Sequence, residues 1–297
     1  MKKYIAAFIS LLGVTYIVSC KNKQSFATAT NGKSLLWEIT GRGLHKPSYF
    51  FGTMHLMCAE DAELTVTVKS LIKRTGQIYL EVDMDNAAEL LTGILDLRSK
   101  TSKELSSVLS PEDYHKVKDF FEKFQPQVPF SVLEKQPPLM ISSSLYELLL
   151  PCEQKNGVEM KIIEEAYQEK KQTNGLETIA FQSSIFDSIP YEEQARDLVK
   201  SIDSLEKHRT AMYEMINVYK AQDIEKLYVL SVNDESSASG YMDILLYKRN
   251  RNWVGQFAGI ANETSTLFAV GAGHLGGENG VLQLLKQQGY TVRPLAN

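Results

Sequence analysis

The chain has 297 residues, 43% of them hydrophobic and 23% charged, with a formal net charge of -4. These values describe a globular protein with a substantial core, in one large domain or two small ones. The mildly acidic balance, with no long basic run, argues against nucleic acid or an anionic membrane surface as the main partner.

The N-terminus reads "MKKYIAAFISLLGVTYIVSCKNKQ": two lysines, an apolar run from Tyr4 to Val18, then Ser19-Cys20. The run is short for a bilayer span, and its layout is that of a secretory signal. Ile17-Val18-Ser19-Cys20 resembles a bacterial lipobox, so residues 1–19 are expected to be a signal peptide and Cys20 a lipidated first residue. Residues 20–34 are then a polar tether, and the protein is expected on the cell envelope, anchored in the outer membrane. A plain signal peptide is the alternative. The other cysteines, Cys58 and Cys152, do not make a framework and are expected as unpaired thiols rather than a disulfide.

From Leu35 onward, strand and helix patterns alternate. "LLWEIT", a glycine turn and "PSYFFGT" predict a hairpin. "DAELTVTVKSLIKRTG" predicts a helix stopped at Gly76, and "QIYLEVDM" a third strand. Residues 86–150 read as helices broken by prolines, one of them starting at Ser110-Pro-Glu-Asp113. A helix over "VEMKIIEEAYQEKKQ" precedes the short strand "GLETI", and residues 190–256 are again mostly helical. A strand (TLFAV), a glycine loop, a helix (GVLQLLKQQG) and a last strand (YTVRPL) close the chain. The expected class is α/β, helix-rich, with a modest central sheet in a single domain over 35–297.

One long-range echo stands out. "YFFG", Thr-Met-His55-Leu, a helix and "QIYLEV" match "FAVG", Ala-Gly-His274-Leu, a helix and "YTVRPL". Each is strand, G-x-x-H-L, helix, glycine, strand, as expected of two related β/α halves. Gly271, Gly273 and Gly276 also spell the dinucleotide fingerprint. Here no acid follows at the required distance, and too little chain remains to complete a nucleotide domain. Dinucleotide binding is therefore not expected; the shared features are the first glycine, assigned to a sharp turn, and the histidine.

His45, His115 and His208 sit in polar or amphipathic settings and read as surface residues. His55 and His274 each follow a strand end, the edge at which α/β sheets bind ligands. Glu81 lies inside an apolar strand, where an acid is costly unless paired or used, and Glu177 lies in "GLETI". Two imidazoles and a carboxylate suit a divalent metal such as Mn, Co or Zn with an open position for water. His55, His274 and Glu81 are the candidate ligands.

The segments "LLWEITGRGLHKPSYFFGTMHL", "YLEVDM", "GLET" followed by Gln182, "RNRNW" and "VGAGHLGGENGVLQLLKQQGYTVRP" together resemble the TraB/GumN family, to which the Tiki proteases are related. The resemblance implies an α/β fold of two related halves, akin to erythromycin esterase and the haem-binding ChaN. It implies an active centre of His55, His274 and Glu81, and a metal-dependent peptidase associated with Mn or Co. Glu177 matches the family's "GLET" glutamate, and Arg249 and Asn250 match its "RN" pair. Arg249 would bind a carboxylate or an oxyanion, or else form a surface salt bridge. Acids common in the family between "LET" and the glutamine are replaced here by Ala180 and Phe181. The expected partner is a peptide or other small substrate. A non-catalytic lipoprotein that binds haem or a signalling peptide, and an esterase, remain the alternatives.

Overall fold

The computed structural model describes residues 26–30, 32–86, 103–125, 127–233 and 237–297. The expected signal peptide, Cys20 and the first part of the tether lie outside these residues. No described helix is long and apolar enough to cross a membrane.

A mixed six-stranded sheet organises the chain, in the order β6-β4-β7-β2-β1-β8. Its strands are β1 (Leu36–Thr40), β2 (Ser48–Thr53), β4 (Gln77–Val82), β6 (Thr173–Glu177), β7 (Thr266–Gly271) and β8 (Thr291–Pro294). Strands β6, β4, β7 and β2 are mutually parallel, while β1 runs against both β2 and β8. The expected hairpin is β1–β2; its turn needs Gly41 and Gly43, whose φ values of 87° and 83° suit glycine. Strands β2 and β7 lie at the centre and are buried along almost their whole length, as their near-continuous apolar sequences require. Phe50 and Phe268, opposite each other in register, stack with ring centroids 4.8 Å apart.

The two repeated units are interleaved. From β2 the chain passes through helix α1 (Val66–Arg74) to β4, which lies beyond β7. From β7 it passes through a late helix to β8, which lies beyond β2 and β1. Each half thus reaches across the first strand of the other. The first strands β2 and β7 become parallel neighbours, and both histidine motifs leave the same edge of the sheet.

Among the described residues the helices that follow α1 are α2 (Leu105–Val108), α3 (Pro111–Phe124), α4 (Phe130–Leu133), α5 (Pro138–Leu149), α6 (Val158–Gln168), α7 (Ile179–Phe186), α8 (Tyr191–Asp203), α9 (Leu205–Lys220), α10 (Ile224–Val232), α11 (Lys248–Glu263) and α12 (Val281–Gln287). Helix α3 starts where Ser110 predicts, with the Ser110 hydroxyl accepting from Asp113 N at 3.1 Å and Pro111 in the first turn. Helices α2–α5 and α8 share a second apolar cluster around Val117, Phe121, Ile141 and Leu198, separate from the sheet's core.

One expectation needs correction, and part of the segment expected as a tether is tied to the domain. Cys58 and Cys152 are joined as a disulfide, with Cα atoms 5.8 Å apart. A two-stranded ribbon, β3 (Met57–Cys58) against β5 (Lys155–Asn156), brings them together, which no spacing in the sequence reveals. The later part of the tether is also not free. Thr28 bridges to Leu295, the Phe26 ring packs edge-on against Tyr49, and the buried Ser34 hydroxyl donates to Leu295 O at 2.6 Å.

Candidate active site

Parallel strands present their C-terminal ends to one edge, and three of the candidate residues meet there. His55 follows β2, Glu81 is the penultimate residue of β4, and His274 ends a 3-10 turn (Ala272–His274) that follows β7. Gly271 marks their meeting point. A Cβ at that position would lie 3.2 Å from Glu81 Oε1, 3.6 Å from His274 Cδ2 and 3.7 Å from His55 Nε2. Its φ is -50°, open to any residue, so Gly271 is not there for the turn expected from sequence. It leaves room for three side chains.

Glu81 is buried, and both of its carboxylate oxygens accept hydrogen bonds. Its Oε1 accepts Gly271 N–H at 2.8 Å, and its Oε2 accepts from Gln182 Nε2 at 3.2 Å and from the Arg249 guanidinium. Burial opposes ionisation, yet Arg249, the charged His55, the Gly271 N–H and, where it is protonated, His274 hold the carboxyl well below the usual carboxylate range. Arg249 is the hub. Its Nε donates to Glu177 Oε2 at 2.9 Å, one terminal nitrogen to Glu81, and the other to Leu245 O and His274 Nε2, each at 3.2 Å. The guanidinium also lies over Trp253, 4.9 Å from the ring. The surface salt bridge is therefore corrected to an internal one. Arg249 enters just after a single π-helical turn (Asp243–Tyr247) at the head of α11, a distortion common at functional sites.

Glu177 and Gln182 arrive together because β6 ends at Glu177 and Thr178 caps α7, accepting from Phe181 N at 3.1 Å. Burial raises the Glu177 pKa against the nearby Arg249.

The two histidines are held differently. Asn250 Nδ2 donates to Asn279 O at 2.8 Å, which leaves its Oδ1 facing His274 Nδ1 at 2.6 Å. An acceptor there puts the proton on Nδ1 and leaves Nε2 as the lone pair that accepts from Arg249. Burial lowers the His274 pKa to about 3, so the ring is neutral. His55 Nδ1 pairs with Glu159 Oε1 at 2.7 Å. Desolvation would lower its pKa, but 68% of the side chain is exposed, and the Glu159 carboxylate, with Glu81 nearby, holds it up at about 9. His55 is therefore charged at neutral pH, and its Nε2 is left for the cleft. That cleft, about 300 Å³, is walled by Leu80, Val82, Met84 and Met160 beside His55, Glu81 and Gln182.

The donor types suit a divalent cation, and each imidazole has the outer partner that ligating histidines have. The arrangement does not. Among the described residues no group of three or more His, Cys, Asp or Glu is placed to hold a metal ion. The Arg249 guanidinium donates both to His274 Nε2 and to Glu81 Oε2, so the lone pair that His274 would offer an ion shared with Glu81 Oε1, 3.8 Å away, is already taken. As placed, these residues do not fit a metal.

Sequence reasoning missed Glu159 entirely and gave Asn250 no role. An acid in the first turn of a helix is commonplace, so nothing marked Glu159 as a partner of His55. The remaining glycines of the apparent fingerprint accommodate a helix: Cβ atoms at Gly273 and Gly276 would meet Ser231 Oγ at 3.0 Å and Ile224 O at 2.6 Å, in α10.

An α/β sheet edge with two histidines, two buried glutamates and a buried arginine defines a candidate hydrolytic centre. Residues 35–294 match the family model for the TraB/PrgY/gumN family, and the chain belongs to that family. It is 21% identical to "Metalloprotease TIKI1" of Danio rerio, over 87% of this chain and 62% of that protein. It is likewise 21% identical to "Metalloprotease TIKI2" of Xenopus tropicalis, over 87% of this chain and 59% of that protein. The chain thus spans about three fifths of the length of these relatives. No solved structure matches.

Proposed function

We propose that the chain is a hydrolase, and within that class a peptidase, tethered to the bacterial envelope through a lipidated Cys20. The lipobox-like Val18-Ser19-Cys20 and the polar segment after it support the anchor. The names of these relatives, both metalloproteases, support peptide-bond cleavage.

The observation that carries the reading is the meeting of His55, Glu81 and His274 around Gly271 with His55 charged and His274 neutral. Groups pushed apart in this way are suited to different proton-transfer tasks. His55 presents a charged ring edge to the cleft and is the proton donor to the leaving nitrogen. Glu81 is ionised, faces the same point, and orients the attacking water. Its low pKa makes it a weak base, so its contribution is mainly positional; the proton that the water sheds on adding to the carbonyl passes through solvent in the open cleft and restores the one His55 gives to the nitrogen. Arg249 balances Glu81 and Glu177 and fixes the His274 ring; four of its five N–H groups are taken by Glu177, Leu245 O, His274 and Glu81, so its main part is that of a positioning residue. No step is routed through a metal, because the residues as placed do not fit one.

The test is release of free amine from a mixed peptide substrate by residues 21–297, in EDTA and with added Mn²⁺, Co²⁺ or Zn²⁺. Cleavage that disappears in His55→Ala is expected. Cleavage at the wild-type rate by that variant, or none by the wild type under any condition, would remove the proposal.

A further inference from the structure

Glu159 is buried and acidic, and it meets the first histidine motif twice. Its Oε1 takes His55 Nδ1 at 2.7 Å and also accepts the Thr53 hydroxyl. Thr53 and His55 belong to one G-x-x-H segment, so a single carboxylate oxygen spans that motif. Gly157 makes the approach possible: a Cβ there would lie 2.5 Å from His55 O and 3.1 Å from Glu159 Oε2.

The chain has built a dedicated support for this contact. The β3–β5 ribbon pairs Met57 with Asn156 and Cys58 with Lys155, one strand leaving His55 and the other leading into Glu159. Val158 N–H donates to Met54 O and Ala59 N–H to Gln154 O, each at 3.0 Å. The Cys58–Cys152 disulfide closes the far end across a separation of 94 residues. Without the ribbon, Glu159 and His55 belong to segments more than a hundred residues apart, and holding them together would cost chain entropy.

We propose that Glu159 is the positioning residue of His55, fixing the rotation of its ring so that the Nε2–H faces the cleft, and that the disulfide-closed ribbon holds Glu159 there. The catalytic half of this proposal rests on the hydrolase reading. The geometric half does not. A carboxylate behind a charged imidazole accepts from one ring N–H and so sets where the other N–H points, and removing such a partner costs about 10–100-fold in activity.

The experiment combines ring-nitrogen NMR of the ¹⁵N-histidine-labelled protein, residues 21–297, with kinetics on a cleaved peptide. The His55 signals are assigned by their loss in His55→Gln. In the wild type, Nδ1 is expected to carry a strongly hydrogen-bonded proton. Glu159→Ala is expected to lose that signal and to lower kcat about 10–100-fold with KM changed less than about twofold. Glu159→Gln keeps the shape and an acceptor oxygen, so it should retain the fold and recover part of kcat. Cys58→Ser combined with Cys152→Ser should weaken the Nδ1 signal and lower kcat in the same direction. Unchanged His55 signals in folded Glu159→Gln and Glu159→Ala would overturn the positioning role, and an unchanged signal in the double serine variant would remove the ribbon from it. If the wild type cleaves no peptide, the hydrolase reading falls while the ring signals still decide the placement of His55.

Discussion

His55 and His274 follow the same G-x-x-H pattern on neighbouring parallel strands, yet they end in opposite states. The first is exposed, backed by a carboxylate and charged; the second is buried, backed by an amide and neutral. Part of the cause is register. Thr53, not Gly52, lies opposite Gly271, so the copies are offset by one residue and do not present equivalent faces to each other. The rest is what each copy packs against. After β7 the chain turns at once under α11, which supplies Arg249, Asn250 and Trp253. After β2 it continues to the β3–β5 ribbon and the open cleft. Repetition of sequence has set the position of two histidines and left their chemistry to their neighbours.

The strongest way to break this comparison is to remove each ring. Both His55→Ala and His274→Ala are expected to lower hydrolysis by about 10²–10⁴-fold. Their stabilities should diverge. Loss of the buried ring strands Asn250 Oδ1 and an Arg249 N–H and leaves a cavity, costing about 2–4 kcal/mol. Loss of the exposed ring should cost about 1 kcal/mol, because water replaces it. Urea unfolding of the two variants measures the difference, and equal midpoints would show that the two environments are not distinct.

Next in size is Arg249→Met. Glu81 and Glu177 then share a buried site without their cation, a loss of about 3–5 kcal/mol at neutral pH. The sign with pH follows from linkage. In the wild type the Glu81 pKa is depressed from 4.5 to about 2, so its stabilisation is present above pH 4.5 and fades as pH falls toward 2. In the variant, burial alone raises both carboxyls, so stability is lost as pH rises. Melting curves at pH 4 and pH 7 should show the gap between the two proteins narrowing at the lower pH.

The motif glycines sharpen the same contrast. A Cβ at Gly52 would lie 3.0 Å from Leu275 Cδ1 and 3.2 Å from Ala272 Cα, in the turn of the other copy. A Cβ at Gly271 would meet the three site side chains instead. Gly52→Ala is therefore expected to cost about 1–3 kcal/mol of stability, with activity reduced mainly through loss of fold. Gly271→Ala should cost about 1 kcal/mol or less and reduce activity by about tenfold or more. Thermal melts and initial rates on both variants separate the two, and matching profiles would show that the glycines serve one common purpose.

Much of this site was legible because it lies on periodic elements. The apolar runs of β2 and β7 announced central strands, and the glycine-histidine echo picked out His55 and His274. Glu81 was legible as an acid where an apolar strand should have none. Partners supplied by helices were not, since Glu159 and Asn250 occupy positions where acids and amides are ordinary. Their roles arise from the crossing of distant segments. The disulfide was hidden for the same reason: it depends on a two-residue ribbon that neither strand forms alone. The glycine at 271 was read for a turn and for close approach, and the close approach of three side chains is what it supplies.

The smallest effect, and the most direct test of the opposed states, is the pH dependence of stability. The His55 pKa is raised from 6.5 to about 9, so its contribution is complete below pH 6.5 and is lost as pH rises through 9. The His274 pKa is lowered from 6.5 to about 3, so the folded state excludes a proton that the unfolded chain accepts. Stability from that ring is therefore present above pH 6.5 and lost as pH falls toward 3. Two copies of one motif tilt the curve in opposite directions, with solvent screening the exposed His55 pair and keeping its share the smaller. Peptide cleavage, which needs the charged His55, should fall above about pH 9. Glu159→Gln removes the charge that holds His55 up, so its alkaline limb should move toward 6.5 while the acid limb set by His274 stays in place. A shift of both limbs together would mean that the two histidines titrate as one unit.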